Sequence, residues 1–351
     1  MTPASAKSRV GRDYDINPMF DRENMIPLET AEDRIRNGSR FMPSALVPAR
    51  ADGSAPDRLL WGEFDETPFS SPFTDEDMHR RASQADWFMS RLEDVDRIRF
   101  LSNPLPLRGV VFHMSRCGST LSRRLLGEVD GAFTLSEPGI VNSTIVGSAA
   151  PRFGGIFSAV LAGKSGRFEG AYLKCTSWNL LHGRTLLDAL DGPPAIFIHR
   201  DPVEVLASLK RSNSDWHSRL FIGGANPELD TDPPPDPDTG NARFLAGLIE
   251  SALELEKAGR LRFVAYEDIL ERFIAGDMPE HFGYEVDEAT RTRMYDVAGM
   301  DSKKPGSRFT SDREEKRRIA EEHPAIRSAA AELEELHAEA CRRSGHSGTG
   351  A

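Results

Sequence analysis

The chain contains few of the features that mark several common classes of protein. Three of its 351 residues are cysteines (Cys117, Cys175 and Cys341), and their spacing indicates neither a disulfide framework nor a metal-binding motif. No apolar run approaches the roughly 20 residues that a membrane-spanning helix needs. The first residues also lack the apolar stretch of a signal peptide. We therefore expect a cytoplasmic protein without a membrane span.

Basic residues are fewer than acidic ones: the chain has 44 Lys and Arg residues and 55 Asp and Glu residues, which gives a formal net charge of −11. This charge argues against a nucleic-acid partner, because an acidic protein is repelled by the phosphate backbone. Positive charge is nevertheless dense at Arg116, Arg123 and Arg124, which have no acidic residue between them. A basic segment in an acidic protein predicts a small anionic ligand.

From residue 106 onward, short apolar segments alternate with amphipathic ones. This pattern predicts an α/β fold of three layers, in which a central parallel sheet is flanked by helices. The predicted strands are 109–114, 132–135, 171–174, 194–199 and 261–265. The predicted helices are 119–129, 140–149, 178–190, 202–212, 241–258, 266–275 and 287–298.

The composition divides the chain into three regions. Residues 1–105 have few periodic apolar stretches, and we expect a mostly helical or irregular N-terminal extension or cap whose best helical pattern covers 76–92. The α/β core is predicted at 106–320, and a C-terminal helix with a disordered tail at 321–351. Within the core, 223–240 is rich in Pro and Asp and predicts no regular element. A solvated insertion and a lid over the substrate both fit it.

The most informative segment joins the first core strand to the following helix. A polar loop separates the two, and its residues are Ser115, Arg116, Cys117, Gly118, Ser119 and Thr120. Such a loop directs backbone N–H groups and a helix N-terminus at one point, which predicts a phosphate-type anion site. The loop lacks the Gly-Lys-Ser/Thr ending of nucleoside-triphosphate loops, and its cation, Arg116, comes earlier.

A second motif begins where the predicted strand 194–199 ends. Arg200 follows this strand and Ser208 comes eight residues later, about two helical turns along the next element. Both side chains can therefore face the carboxyl edge of the sheet, where open α/β sheets bind ligands. An arginine with a serine hydroxyl is suited to hold a phosphate, although an ion pair and a locally satisfied serine would also explain the two residues.

Taken together, the motifs resemble those of sulfotransferases that use 3′-phosphoadenosine 5′-phosphosulfate (PAPS). The loop Arg116–Thr120 is similar to the 5′-phosphosulfate loop of that family, and Arg200 with Ser208 is similar to its 3′-phosphate pair. The segment 263–268 resembles the family's strand ending in Tyr-Glu-Asp. The resemblance covers roughly 106–320 and implies a P-loop-type core, PAPS as donor, 3′-phosphoadenosine 5′-phosphate (PAP) as product and no required metal.

The resemblance also implies roles for single residues. The loop residues from Ser115 to Thr120 would bind the 5′ end of the donor, and Tyr266 would contact the adenine, although a packed interface tyrosine is the alternative. Lys304 and Arg308 stand where the family often has a basic loop over the 3′-phosphate, and an exposed turn would look the same. Arg116 would stabilise the leaving phosphate as a catalytic residue.

The acceptor needs a general base, and the family offers two patterns for it. In one branch a histidine follows a strand ending in Leu-Lys-Thr, but the comparable segment 172–178 contains no histidine. Other branches use a glutamate, so the resemblance points to Glu137 as catalytic base, with a carboxylate that pairs with a loop arginine as the alternative. Lys174, which ends a strand, would assist the transfer or orient Glu137, and a structural ion pair is the alternative. His217 is a more distant alternative.

Several points stay open or rest on local chemistry. The acceptor is a small molecule or a peptide with a hydroxyl or an amine, and the oligomeric state is open, a homodimer being one option. An ATP-dependent phosphotransferase and a non-catalytic nucleotide-binding protein on the same fold are alternative functions.

Cys117 lies near a helix N-terminus, which predicts a lowered pKa for its thiol. His113 and His199 are predicted to be satisfied core residues rather than ligands.

Overall fold

The computed structural model describes residues 24–50, 53–164, 166–211, 236–300, 307–308 and 311–346. Their strands form two sheets. An antiparallel sheet contains β1 (Phe41–Val47), β2 (Arg58–Glu63) and β3 (Trp87–Arg91), in the order β1-β2-β3. A parallel sheet contains β4 (Leu107–His113), β5 (Ala132–Ser136), β6 (Gly170–Lys174), β7 (Ala195–His199) and β8 (Arg262–Ala265), in the order β5-β6-β4-β7-β8.

The helices surround these sheets. They are α1 (Leu28–Arg36), α2 (Thr74–Arg81), α3 (Val95–Arg99), α4 (Ser119–Gly127), α5 (Gly139–Thr144), α6 (Phe153–Ala162), α7 (Gly183–Ala189), α8 (Pro202–Arg211), α9 (Pro237–Lys257), α10 (Ile269–Ile274), α11 (Met278–Phe282), α12 (Glu288–Ala298), α13 (Arg313–Glu322), α14 (Pro324–Ala331) and α15 (Glu334–Ser344). None of the helices in the described part of the chain is long and apolar enough to cross a membrane.

The parallel sheet with flanking helices confirms the predicted α/β class, and all five predicted strands are present. Each strand is a short apolar run, and β6 and β7 are buried along their whole length, as strands covered on both faces must be. The chain leaves the central strand β4 for β5 at one edge, whereas it leaves the neighbouring β7 for β8 at the other edge. Ligands bind at such a switch in strand order, outside the carboxyl ends of the strands.

The N-terminal region differs from its prediction. The helix expected at 76–92 is wrong beyond its first half, because α2 ends at Arg81 and the chain then forms β3. The Trp61 ring of β2 stacks on Phe88 with ring centroids 5.2 Å apart, and its Nε1 donates to Ser90 Oγ at 2.9 Å. These cross-strand contacts outweigh the helical spacing of the apolar residues.

Other boundaries also differ from the prediction. Residues 237–240, which were expected to be irregular, are the first turn of α9, because the Asp236 carboxylate accepts from the N–H groups of Asp238 and Thr239 and caps that helix. The rest of that segment, 223–235, lies outside the described residues. The predicted C-terminal helix is divided into α14 and α15, and His346, in the expected disordered tail, contacts Asp268.

Candidate active site

The loop between β4 and α4 has an unusual backbone. Arg116 has a φ of 62° and Gly118 a φ of 80°, both in the left-handed region. A side chain on Gly118 would collide with Tyr266, since an ideal Cβ there would be 2.3 Å from Tyr266 Cε2. Glycine is therefore required for backbone conformation and for space. A strained non-glycine residue such as Arg116 is characteristic of functional loops.

Cys117 points away from the loop and into the core. Its Sγ donates to the Ile198 carbonyl of β7 at 3.3 Å, and the side chain is fully buried. Burial raises the pKa of the thiol to about 12, and the nearby N–H groups and cations do not offset it. The predicted lowering of this pKa is wrong because loss of hydration outweighs the helix N-terminus.

The two predicted phosphate motifs are in direct contact. Arg116 Nε donates to Ser208 Oγ at 2.9 Å, across 92 residues of sequence. Ser208 is buried, as are Ser115 and Ser119 of the loop. Burial lowers the pKa of Arg116, the charge of Arg211 lowers it further and Asp312 raises it. The loop cation thus lies at the β7 side of the sheet, beside the end of α8.

Arg200 is buried and held on two sides. Its guanidinium carbon lies 4.0 Å from the centroid of the Tyr266 ring, a cation–π contact. Its Nε donates to Glu204 Oε2 at 2.6 Å, and one terminal nitrogen contacts the same oxygen. Arg313 of α13 also pairs with Glu204, at 2.7 Å. The arginine–tyrosine platform is therefore fixed before any ligand binds.

Helix α13 adds basic residues that sequence reasoning missed. Lys316 is buried although charged, and its Nζ lies 2.9 Å from Asp312 Oδ1. Burial lowers the pKa of Lys316, and the hydrogen bond with Asp312 raises it. The positive charge of Arg200 also lowers this pKa, so Lys316 lies near that arginine. The only sequence signal was a charged run at 313–318, which resembles any solvated helix face.

A second charged cluster lies at the carboxyl ends of β5, β4 and β6. Lys174 Nζ contacts Glu137 Oε1 directly, and His113 Nε2 lies 3.5 Å from the same oxygen. Burial alone would raise the pKa of Glu137, but the Lys174 charge and His113 bring it down to about 2. Glu137 has a φ of 48°, so it also sits in a strained backbone. Glu137 and Lys174 are thus in direct contact, which fits both an oriented base and a structural ion pair.

The N-terminal extension forms one wall of this second cluster. Thr74 Oγ1 accepts from the Ser136 N–H at 2.8 Å, and both carboxylate oxygens of Asp75 accept from the Gly139 N–H at 3.1 Å. Burial raises the pKa of Asp75 to about 6, the Gly139 N–H opposes it and Glu76 adds to it. Asp75, with its raised pKa, thus contacts Gly139, which lies two residues after Glu137 in the chain. Nothing in its sequence context indicated this position.

The remaining predicted residues have varied surroundings. Arg123 is buried and its guanidinium donates to the Phe69 and Ser70 carbonyls, so it fastens the extension and is not available to an anion. Arg124 donates to the Met300 carbonyl at 3.1 Å, and Met300 forms an antiparallel bridge with the exposed Arg308. Arg308 therefore lies beside α4. Lys304 lies outside the described residues, as does His217.

The two strand histidines are not fully satisfied. His113 Nε2 lies 3.0 Å from the Cys175 carbonyl, but its Nδ1 has no hydrogen-bond partner among the described residues. His199 has no partner at either ring nitrogen in the same part of the chain. The prediction of satisfied core histidines is wrong for His199 and half correct for His113.

Comparison with known proteins gives only distant likenesses. No family model matches the chain, and no curated protein matches it. Sulfotransferase STF9 from Mycobacterium avium is similar with a TM-score of 0.39 and 13% identity over 63% of this chain and 76% of that one. The sulfotransferase domain from the curacin biosynthetic pathway is similar with a TM-score of 0.38 and 12% identity, over 62% of this chain and 98% of that one. A sulfotransferase from Alicyclobacillus acidocaldarius is similar with a TM-score of 0.36 and 13% identity, over 64% of this chain and 96% of that one. Likeness at this level carries no argument about activity.

Proposed function

We propose that the chain is a sulfotransferase of P-loop type, which moves a sulfuryl group from PAPS to a hydroxyl or amine of a small-molecule or peptide acceptor. One observation carries the proposal: three motifs distant in sequence meet at one switch point of the sheet. The Arg116–Ser208 hydrogen bond joins two of them, and Tyr266 joins the third by packing over Gly118 and against Arg200.

The arrangement suits a donor with an anion at each end and an adenosine between them. The loop amides and the N-terminus of α4 would hold the 5′-phosphosulfate, with Ser119 and Thr120. Arg200 contacts Glu204 through Nε and one terminal nitrogen, so its other terminal nitrogen can donate to the 3′-phosphate. Ser208 accepts from Arg116 and keeps its own hydroxyl proton for the same phosphate. Tyr266 offers an aromatic face to the adenine.

The acceptor would bind between the Glu137 cluster and the extension wall at 69–75. Glu137 would take the proton of the acceptor group, the acceptor oxygen or nitrogen would bond to sulfur, and the bond from sulfur to the 5′-phosphate oxygen would break. The electron pair of that bond stays on PAP, where Arg116 and the loop amides would stabilise it. Lys174 would hold Glu137 in its anionic form and in position. Phosphate is a good leaving group, so the chemistry needs no metal ion.

The decisive experiment separates the two anion sites of the donor. Arg200→Ala should weaken PAP binding by roughly 10- to 100-fold, because a charged hydrogen bond to the 3′-phosphate is lost. Binding of adenosine monophosphate, which lacks that phosphate, should change little. Arg262→Ala is the matched control, since Arg262 is half exposed at the amino end of β8. Calorimetry gives both affinities, and an equal loss for the two nucleotides would remove Arg200 from the 3′-phosphate.

Calorimetry also tests the alternative of an ATP-dependent phosphotransferase. The loop has no lysine before Ser119, which such enzymes use to bind the β- and γ-phosphates. We expect PAP to bind more tightly than Mg-ATP. The reverse order would favour the phosphotransferase, and tight PAP binding without turnover of any acceptor would favour a nucleotide-binding protein without catalytic activity.

A further inference from the structure

A buried histidine at the end of β7 has no hydrogen-bond partner. The His199 side chain is 1% exposed, and neither of its ring nitrogens has a partner among the described residues. A neutral imidazole has one donor and one acceptor, and burying both without partners costs free energy. Such an orphan in an otherwise well-packed core indicates a ligand that the protein atoms do not supply.

Two metal-ligating side chains lie directly beside His199. His337 and Cys341 are four residues apart on α15, and this spacing places them on one face of the helix. One ligand atom from each of the three residues lies within 4.8 Å of the other two. The His199 and His337 rings have centroids 5.6 Å apart. Two nitrogens and one sulfur therefore converge on a common point inside the protein.

The helical pair already has the spacing of metal ligands. Cys341 Sγ lies 3.6 Å from His337 Nε2. Tetrahedral zinc with bonds of about 2.0–2.1 Å to nitrogen and about 2.3 Å to sulfur separates these two atoms by about 3.5 Å. A chance contact between a thiol and an imidazole would not explain why a third possible ligand, the unpartnered His199, lies beside them.

A further histidine lies near the cluster, at the end of the same helix. Gly345 has a φ of 73° and ends α15, and His346 Nδ1 then lies 3.1 Å from Asp268 Oδ2. His346 is not among the residues whose ligand atoms lie within 4.8 Å of one another, so a water molecule would complete four-fold coordination.

We propose that His199, His337 and Cys341 form a structural site for a divalent metal ion of zinc type. A set of two imidazoles and one thiolate favours zinc over magnesium or calcium, which prefer oxygen ligands. The ion would fasten α15 to β7 one residue before Arg200. Because Arg116, Glu137 and Lys174 lie elsewhere, the site is separate from the proposed sulfuryl transfer and supplies rigidity to the end of the strand.

Cobalt substitution tests the site directly, because thiolate-bound Co²⁺ has a charge-transfer band and visible d–d bands. Metal-free wild-type protein titrated with Co²⁺ should develop both at one equivalent, and Zn²⁺ should abolish them. Cys341→Ser should lose the charge-transfer band, whereas Cys175→Ser should retain it, since Cys175 is buried outside the cluster. His337→Gln should lose stoichiometric binding, and His323→Gln, at an exposed histidine, should not.

A second measurement uses the wild-type protein alone, in case a variant fails to fold. Zn²⁺ should raise the thermal unfolding midpoint of the metal-free protein, because a ligand that binds only the folded state stabilises it. Zn²⁺ should also protect Cys341 from alkylation, read by peptide mass spectrometry. The proposal is overturned if wild-type protein shows no thiolate–cobalt band at one equivalent, or if Cys341→Ser and His337→Gln bind the ion as wild type does.

Discussion

Two charged clusters lie at the same edge of the parallel sheet, and they differ in how their charges are balanced. On the β7 side, Arg116 donates to a neutral serine, and Arg200 is paired with Glu204 only through Nε and one terminal nitrogen, so Arg116 and the other terminal nitrogen of Arg200 are not held by a carboxylate in the described part of the chain. On the β6 side, Lys174 is paired with Glu137 and both are largely buried. The first cluster is prepared for an anion, and the second holds one fixed negative charge in a set position.

This difference matches the two tasks of the proposed reaction. A donor with two anionic ends needs cationic hydrogen-bond donors that are still available, and Arg116 and the second terminal nitrogen of Arg200 would provide them. A base needs to be ionised, and Glu137 is kept ionised by its neighbours because their effect on its pKa exceeds that of burial. Mutation of Arg200 should therefore affect mainly donor affinity, and mutation of Glu137 should affect mainly turnover.

The largest expected effect is on turnover. Glu137→Gln should lower kcat by about 100- to 10,000-fold, the usual contribution of a positioned general base, while PAP affinity changes little. The wild-type pH–rate profile should show no acid limb from Glu137 above pH 4, because its pKa is about 2. Steady-state kinetics and PAP calorimetry on the same preparation measure the two quantities.

Glu169→Gln is the matched control for this variant, since Glu169 is exposed just before the amino end of β6, the strand that ends in Lys174. It should keep wild-type turnover. Thermal unfolding of Glu137→Gln checks that Lys174, left without its partner, has not unfolded the site. A folded Glu137→Gln protein with normal kcat would show that the second cluster is a structural ion pair.

A smaller effect is expected on donor affinity from a single methyl group. Gly118→Ala should weaken PAP binding by more than about tenfold, because the new Cβ meets the Tyr266 ring and the backbone is left-handed. Gly147→Ala is a close control: Gly147 has a φ of 73°, but nothing lies within 4 Å of its Cβ position. Calorimetry should separate the two variants, and equal affinities would mean that the Tyr266 contact does not shape the donor site.

The two anion motifs could be located in the sequence because the parts of each are local. The strand, loop and helix around Arg116 are consecutive, and Arg200 and Ser208 belong to one strand and the helix that follows it, so the elements follow from the sequence pattern, whereas their donor roles rest on the resemblance. Their contact with each other depends on strand order. Neighbouring β4 and β7 bring the two halves together although 92 residues separate Arg116 from Ser208.

The extension and the wall of the second cluster could not be predicted in the same way. Strand β3 depends on pairing with β2 and on the stacking of Trp61 with Phe88, which no short window of sequence contains. The position of Asp75 likewise depends on a contact with Gly139, 64 residues away. The cluster of His199, His337 and Cys341 arises from packing α15 against β8 and β7, and only the spacing of four between His337 and Cys341 was visible.

The smallest expected effect concerns Asp75, whose burial raises its pKa to about 6. As pH falls through 6, Asp75 becomes neutral and its hydrogen bond from the Gly139 N–H weakens, so we expect a modest fall in kcat. Asp75→Asn should remove this limb and leave kcat at pH 8 within a few-fold of wild type.

Because the folded-state pKa of Asp75 is raised, the folded protein binds this proton more tightly than the unfolded chain does, and the free energy of unfolding should rise as pH falls from about 6 to about 4. Asp75→Asn should flatten that rise in chemical denaturation. If Asp75→Asn instead abolishes turnover at every pH while Glu137→Gln retains it, the base is Asp75, and the negative charge that Lys174 holds on Glu137 serves the structure of the cluster.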